Sequence, residues 1–366
     1  MKLAIIGANG FIGSRLVEQF HLGARHEVVP IVRQPSSLAL PARFSLDWRL
    51  GDALDATSLQ AALAGCEGVV HAAIGDPVQI ERMPEILCQA AAAAKIRRVV
   101  YLSSASVHGQ DIPAGTTEAT ALHTQHSLEY NNAKVRAEQS FFSHCQRLGL
   151  DGYALRPGVV YGPRSRWIAD VADALARGTA WLYDEGRGLC NSIYVDNLIH
   201  GIDRCLTAGT GAGQAYLVGD EETVTWADFY RSAAVHLGED FSRIHQVKTL
   251  PAFERSFRDK VESAVAKPWV QSLLPAVPFR LKRATKTLIA SWNPPSAPEA
   301  WTLPRPPGPA IDEEMALLQQ CRWKVPHQKA RETLGYVPPV SFEEAMRRSF
   351  AWLRFAQGRP PAPRAA

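Results

Sequence analysis

The chain has 366 residues, 46% hydrophobic and 21% charged, with 40 Lys and Arg against 36 Asp and Glu and a formal charge of +4. That composition is globular rather than disordered. So small a positive excess argues against a nucleic-acid binder, and the length suggests two domains. Cys66, Cys88, Cys145, Cys190, Cys205 and Cys321 are scattered without a C-x-x-C pair. The spacing speaks against a disulfide framework or a thiolate metal site and fits a reducing, cytoplasmic compartment. The chain opens on a strand pattern, so no secretory signal is expected. No run reaches the ~18 uninterrupted apolar residues of a membrane span.

Strand and helix patterns alternate from the start. Residues 2–6 read as a buried strand, 11–22 as a helix, and 26–32 as a second strand. A short helix over 58–64 is followed by a strand over 68–73. An Ala-rich helix over 86–95 precedes a strand over 98–103, and a long helix over 129–148 precedes a strand over 151–155. Strands that are continuous apolar runs, linked by helices, predict a parallel sheet covered on both faces. Beyond Pro157 loops surround one helix over 168–177, and the pattern at 193–206 and 214–218 returns to the first domain. Residues 330–357 read as helix. The stretch 251–310 holds 11 of the 25 prolines and reads as an irregular insertion. The tail 358–366, rich in Pro, Ala and Arg, is expected to be disordered.

The first strand runs into Gly7-Ala8-Asn9-Gly10-Phe11-Ile12-Gly13 and then a helix. In such a loop the first glycine permits the turn, the second lets backbone approach a pyrophosphate, and the third lets helix and sheet pack closely. The phosphates would rest on the helix N-terminus. About 20 residues beyond the last glycine, an acid selects a free ribose hydroxyl and an arginine a 2′-phosphate. Arg33 stands there, and no Asp or Glu lies between Val28 and Leu46. The expected cofactor is therefore NADP in preference to NAD.

Tyr130 and Lys134 are four apart on a predicted helix and share a face. A phenol is a poor base at neutral pH, but a neighbouring ammonium favours the phenolate. Tyr130 could then exchange a proton with a substrate hydroxyl or carbonyl. Ser104, at the end of a strand, could hold that oxygen, and Lys134 could reach the nicotinamide ribose. Asp196 and Asn197 read as caps of the following helix, and His71 as a strand histidine with a local hydrogen bond. His123 and His126 read as loop residues, so no metal site is expected.

Jointly these features resemble the extended short-chain dehydrogenase/reductase superfamily, the NAD(P)-dependent epimerase/dehydratase group. The likeness rests on the glycine loop, Gly51-Asp52-Ala53-Leu54-Asp55, Val70-His71-Ala72-Ala73, and Ser103-Ser104-Ala105-Ser106-Val107-His108-Gly109. It extends over Tyr130-Asn131-Asn132-Ala133-Lys134, Arg156-Pro157-Gly158-Val159-Val160-Tyr161-Gly162-Pro163 and Tyr194-Val195-Asp196-Asn197. It implies Ser104, Tyr130 and Lys134 as catalytic residues. Gly7, Asn9, Gly10, Phe11, Ile12, Gly13, Arg33, Asp52, Ala53, Ala72, Ala73, Tyr130, Lys134 and Pro157 would contact the cofactor. Ser106, His108 and Tyr161 would face substrate, and a homodimer would form through a helix face. Three departures stand out. His108 replaces the usual Tyr, Cys190 replaces the Arg that holds a nucleotide-sugar diphosphate, and Glu81-Arg82-Met83-Pro84-Glu85 lacks the Asn-x-x-Gly-Thr helix start of many sugar-nucleotide members.

The expected fold is α/β: a Rossmann-type doubly wound parallel sheet over 1–160 and 193–220, with a smaller C-terminal substrate domain from 161–192 and 221–357. The expected function is hydride transfer between NAD(P) and a hydroxyl or ketone substrate. The alternatives are a nucleotide-sugar epimerase or dehydratase that recycles its cofactor and a non-catalytic nucleotide-binding sensor. A small molecule is the expected partner. Residues 251–290 carry eight Lys and Arg against three acids, which suits a solvated lid or, over 251–292, peripheral contact with an anionic membrane.

Overall fold

The computed structural model describes residues 1–39, 41–253 and 308–358. In chain order the strands are β1 (Lys2–Ile6), β2 (Glu27–Val32), β3 (Arg49–Leu50), β4 (Gly68–His71), β5 (Arg98–Leu102), β6 (Asp151–Pro157), β7 (Val159–Tyr161), β8 (Trp181–Tyr183), β9 (Ser192–Tyr194), β10 (Gln214–Val218) and β11 (His245–Val247). The helices are α1 (Phe11–Leu22), α2 (Ala56–Leu63), α3 (Pro77–Ala93), α4 (Glu129–Leu148), α5 (Arg166–Arg177), α6 (Val195–Thr207), α7 (Trp226–Leu237), α8 (Glu313–Gln320), α9 (Gln328–Leu334) and α10 (Phe342–Ala356). The chain divides into two compact units, Met1–Thr249 with Gly308–Ala366, and Leu250–Pro307. All these elements belong to the first. The basic segment 251–292 and the tail lie almost wholly outside the described residues.

Seven strands form one parallel sheet in the order β10-β6-β5-β4-β1-β2-β3. This is the doubly wound arrangement expected. Period-two alternation supplies its two cores. Leu3, Ile5, Val28, Val70 and Val100 face one side and pack with α1 and α6 residues such as Leu16, Phe20 and Leu198. Ala4, Ile6, Val29, Val69 and Val99 face the other, with Leu59, Leu87 and Phe141 of α2, α3 and α4. Strand order reverses between β1 and β4, so the crevice lies beyond their carboxyl ends.

Three elements differ from expectation. The helix foreseen over 86–95 begins at Pro77, where Asp76 and Gln79 form a capping box, and it continues through the buried Pro84. Packing of α3 against α2 and α4 offsets the N–H that Pro84 lacks. The helix foreseen over 330–357 is two helices. Gly335 ends α9 in the left-handed region at φ 66°, and Pro338-Pro339 follows before α10. Finally, β9 pairs with β7 in a separate two-stranded sheet, and only β10 rejoins the main one.

Among the described residues no helix is long and apolar enough to cross a membrane. All six cysteines are buried and free.

Candidate active site

The glycine loop leaves β1 against the end of β4. Gly7 has φ 81°, and a Cβ there would lie 2.7 Å from the Ala73 nitrogen; one on Gly13 would lie 2.1 Å from the Gly7 oxygen. Both positions therefore exclude side chains for internal reasons. Gly10 differs. Its φ is −70°, and a Cβ would meet only the Gly7 oxygen, at 3.3 Å, so its outer side is open. Asn9 and Gly10 are exposed, and Phe11, Ile12, Ala72 and Ala73 half-buried. The first turn of α1 has neither a side-chain cap nor an acid, whereas Asp55, Asp76 and Ser165 cap α2, α3 and α5. Uncapped N–H groups behind an open glycine suit a dinucleotide diphosphate.

Arg33 is exposed at the end of β2. Asp52 and Ala53 are half-buried beyond β3, and the Asp52 carboxylate accepts from the Leu54 N–H at 2.9 Å. Two further arginines serve the first helix. Arg164, at φ 72°, donates to Ser14 Oγ at 2.6 Å. Arg15 forks onto Asp196 at 2.7 and 2.8 Å.

Ser104 follows β5 by two residues and opens a tight turn, Ala105–His108, in which the Ser106 N–H donates to Ser104 Oγ at 3.2 Å. Its hydroxyl is near enough to the Tyr130 phenol, in the first turn of α4, to favour the phenolate. One turn on, Lys134 Nζ donates to the Leu102 oxygen at 3.0 Å and lies 5.9 Å from the centre of the Tyr130 ring. The three side chains foreseen as catalytic thus converge at the carboxyl end of β5.

Their electrostatics differ from expectation. Burial pushes the Tyr130 phenol up to about 12, with the Ser104 hydroxyl opposing and the Glu314 carboxylate adding to the rise. Burial also pushes Lys134 down to about 8, while Glu138 holds it up. The ammonium points at a carbonyl rather than at the phenolic oxygen, so in the protein alone desolvation outweighs the attraction expected between the pair.

Other expectations change as well. Tyr161 is wholly buried among Tyr194, Phe229 and Phe342; it is a core residue with no surface to offer a substrate. His108 is 7% exposed, and its Nε2 is occupied by Arg156 Nη1 at 3.1 Å. Ser106 is buried with its hydroxyl unpartnered. Pro157 is buried at the end of β6, opposite Val218. His71 has neither ring nitrogen hydrogen-bonded, and burial pushes it down to about 3. Asp196 and Asn197 do not cap α6. Asp196 ties α6 to α1 through Arg15, and Asn197 binds Asp220 and the Val340 backbone.

Sequence reasoning missed Glu138. It is 2% exposed and bound to Ser103 and Arg156. Its signal was present: Glu138 lies one turn beyond Lys134, on the same face of the helix. Among the described residues no group of three or more His, Cys, Asp or Glu side chains could hold a metal.

A family model for the NAD dependent epimerase/dehydratase family matches residues 3–219. The chain is 28% identical over 268 residues to 3-beta-hydroxysteroid dehydrogenase of Mycolicibacterium neoaurum, covering 66% of this chain and 72% of that protein. It is 23% identical over 252 residues to UDP-glucose 4-epimerase of Vibrio cholerae, covering 64% and 76%. Its fold matches that of a double mutant of DesIV, a dTDP-glucose 4,6-dehydratase from Streptomyces venezuelae with NAD and DAU bound, at a TM-score of 0.68, 22% identity and 98% coverage of each chain.

Proposed function

Because the chain belongs to the NAD dependent epimerase/dehydratase family, we propose that it is a net oxidoreductase acting on a secondary alcohol or ketone of a small molecule, of the hydroxysteroid kind, with NADP(H) preferred. The observation that carries this reading is the convergence of Ser104, Tyr130 and Lys134 at the carboxyl end of β5, on the same edge of the parallel sheet as the glycine loop that follows β1. The cofactor would lie on Gly10 and the first turn of α1, and when bound it supplies or accepts the hydride.

The chain's own residues handle the proton. Ser104 holds the substrate oxygen in hydrogen-bond reach of Tyr130. Tyr130 gives its proton to that oxygen in reduction or takes one in oxidation. The Lys134 ammonium supplies positive charge close to the phenol and a donor for the ribose. A phenol held near 12 is weighted toward its protonated form, which suits donation to a carbonyl.

Cys190 favours the alcohol or ketone over a nucleotide sugar. It is 1% exposed, so that position offers no cation to a diphosphate. The hydroxysteroid dehydrogenase relative points the same way. The division into a dinucleotide domain and a substrate domain belongs to this reading.

The test is a panel of hydroxysteroids, oxosteroids and nucleotide sugars with NADPH, NADH and their oxidised forms, followed at the reduced-nicotinamide absorbance band. Stoichiometric change with a steroid-like alcohol or ketone is expected. Conversion of a nucleotide sugar without net change would instead establish the epimerase or dehydratase reading, and binding without any turnover the sensor. For the cofactor, Arg33→Ala should weaken NADPH at least ~10-fold more than NADH, as expected for loss of a charge-assisted phosphate contact. Equal weakening of both would remove Arg33 from that role.

A further inference from the structure

Glu138 and Arg156 form a buried pair behind the site, 2% and 4% exposed. Arg156 Nε donates to both carboxylate oxygens, at 3.2 and 3.0 Å. The pair touches more than itself. Ser103, which precedes Ser104, donates its hydroxyl to Glu138 Oε2 at 2.6 Å. Arg156 Nη1 reaches His108 Nε2 at 3.1 Å and the Glu118 carbonyl at 3.4 Å. Glu138 also lies one turn beyond Lys134 on α4. One carboxylate therefore joins the Ser103-Ser104 segment that follows β5 to α4, which carries Tyr130 and Lys134. Through Arg156 it also joins them to β6 and to the turn over Ala105–His108.

We propose that Glu138, anchored by Arg156, is a positioning residue of the site: it fixes α4 against β5 so that Ser104, Tyr130 and Lys134 meet, and it supplies the negative charge that keeps the buried Lys134 an ammonium. The catalytic consequence rests on the function proposed above. The effect on Lys134 does not.

The groups facing Lys134 make the second role necessary. From β4 comes His71, neutral and without hydrogen bonds. From β5 come the Leu102 carbonyl and the Tyr101 ring, 5.6 Å from Nζ. From α4 come Tyr130 and Glu138, and from β6 Arg156, bound to Glu138. Among the described residues Glu138 is the carboxylate that acts on Lys134. Arg156 leaves the pair no net charge at long range, but Glu138 stands one helical turn from Lys134 on the same element. The same arginine occupies His108 Nε2, so that ring stays neutral with its proton on Nδ1; burial and Arg156 push it down to about 4.

The experiment compares wild type, Glu138→Gln, and Glu138→Gln combined with Arg156→Met. The double variant guards against misfolding, since removing one partner strands a buried charge whereas removing both does not. Lys134 is followed by NMR of protein labelled at lysine Cε, its signal identified by loss in Lys134→Arg. The titration midpoint of Lys134 is expected to fall by a unit or more in Glu138→Gln, and by less, but still measurably, in the double variant. In turnover, kcat should fall at least ~10-fold with KM for the carbonyl or alcohol substrate little changed, and the alkaline limb of the rate profile should move to lower pH. A folded double variant with the wild-type Lys134 midpoint and wild-type kcat would overturn the proposal. If wild type binds no dinucleotide, the proposed function fails, and the Lys134 midpoint still decides the charge role.

Discussion

Tyr130 enters the cleft with a phenol held near 12 by burial. A proton donor is thereby ready before any ligand arrives, and the positive ring of an oxidised nicotinamide would be the group to bring the phenolate within reach. Tyr130→Phe should cost at least ~10²-fold in kcat with dinucleotide affinity nearly intact, the usual size of a general acid term. Unchanged turnover would remove Tyr130 from the mechanism. In the cofactor-free protein, the ultraviolet difference titration between wild type and Tyr130→Phe should show ionisation above pH ~10 only. His71 makes a different prediction. Its folded pKa of about 3 lies below the unfolded value near 6.5. The unfolded chain therefore binds a proton first as pH falls, and stability present above pH 6.5 is lost below it. Between pH 6.5 and 5 this amounts to about 2 kcal/mol. His71→Leu should flatten that loss by a comparable amount, measured by urea unfolding at several pH values. An equal acid loss in the variant would show that His71 does not titrate on unfolding.

At the scale of elements, the loop from β1 to α1 separates two demands on glycine. Gly13 is required by packing, with its Cβ position 2.1 Å from the Gly7 oxygen, and Gly10 is not, with 3.3 Å and an ordinary φ. Gly10→Ala should therefore keep its thermal midpoint within a few degrees while dinucleotide affinity falls at least ~10-fold, because the methyl group stands where phosphate approaches. Gly13→Ala should lower both the midpoint and the affinity. If Gly10→Ala binds as wild type does, the open side of the loop is not the diphosphate seat. The same scale explains α4. Its buried face carries Asn131, Lys134, Val135, Glu138 and Phe141, so one helix presents charged groups at its catalytic end and apolar packing beyond. Helical spacing made the Tyr130 and Lys134 pair legible in the sequence. The partners of that face, Ser103 and Arg156, come from strands brought near only by folding.

For the whole molecule, the segment after residue 307 completes the first unit. Ala310 and Leu318 accept the indole N–H groups of Trp181 and Trp226, at 2.9 and 3.1 Å. Asn191 donates to the Trp323 carbonyl at 2.9 Å, and Tyr336 donates to Gly219 at 2.9 Å. Asn197, wholly buried, exchanges hydrogen bonds with Val340 at 2.8 and 2.9 Å. A chain ending at residue 249 would lose these partners and the apolar packing of Ala330, Leu334, Tyr336, Met346 and Phe350, and would uncover surface that the intact unit buries. Such a truncation should lose its cooperative thermal transition by circular dichroism. A sharp transition near the full-length midpoint would show that the N-terminal part folds without this segment.

Local pattern determined the sheet, the glycine loop and the Tyr130 and Lys134 pair, because each depends on residues near in sequence: a period of two or 3.6, three glycines around a turn, a side chain one helical turn from another. Tertiary structure decided what distant segments bring. It assigned Tyr161 to the core and gave Asp196 to Arg15 rather than to a helix cap. It carried α3 through Pro84, set Glu138 between Ser103 and Arg156, and raised the Tyr130 phenol instead of lowering it. In each case the outcome turns on burial and on partners many positions away, and neither is written in the spacing of residues along the chain.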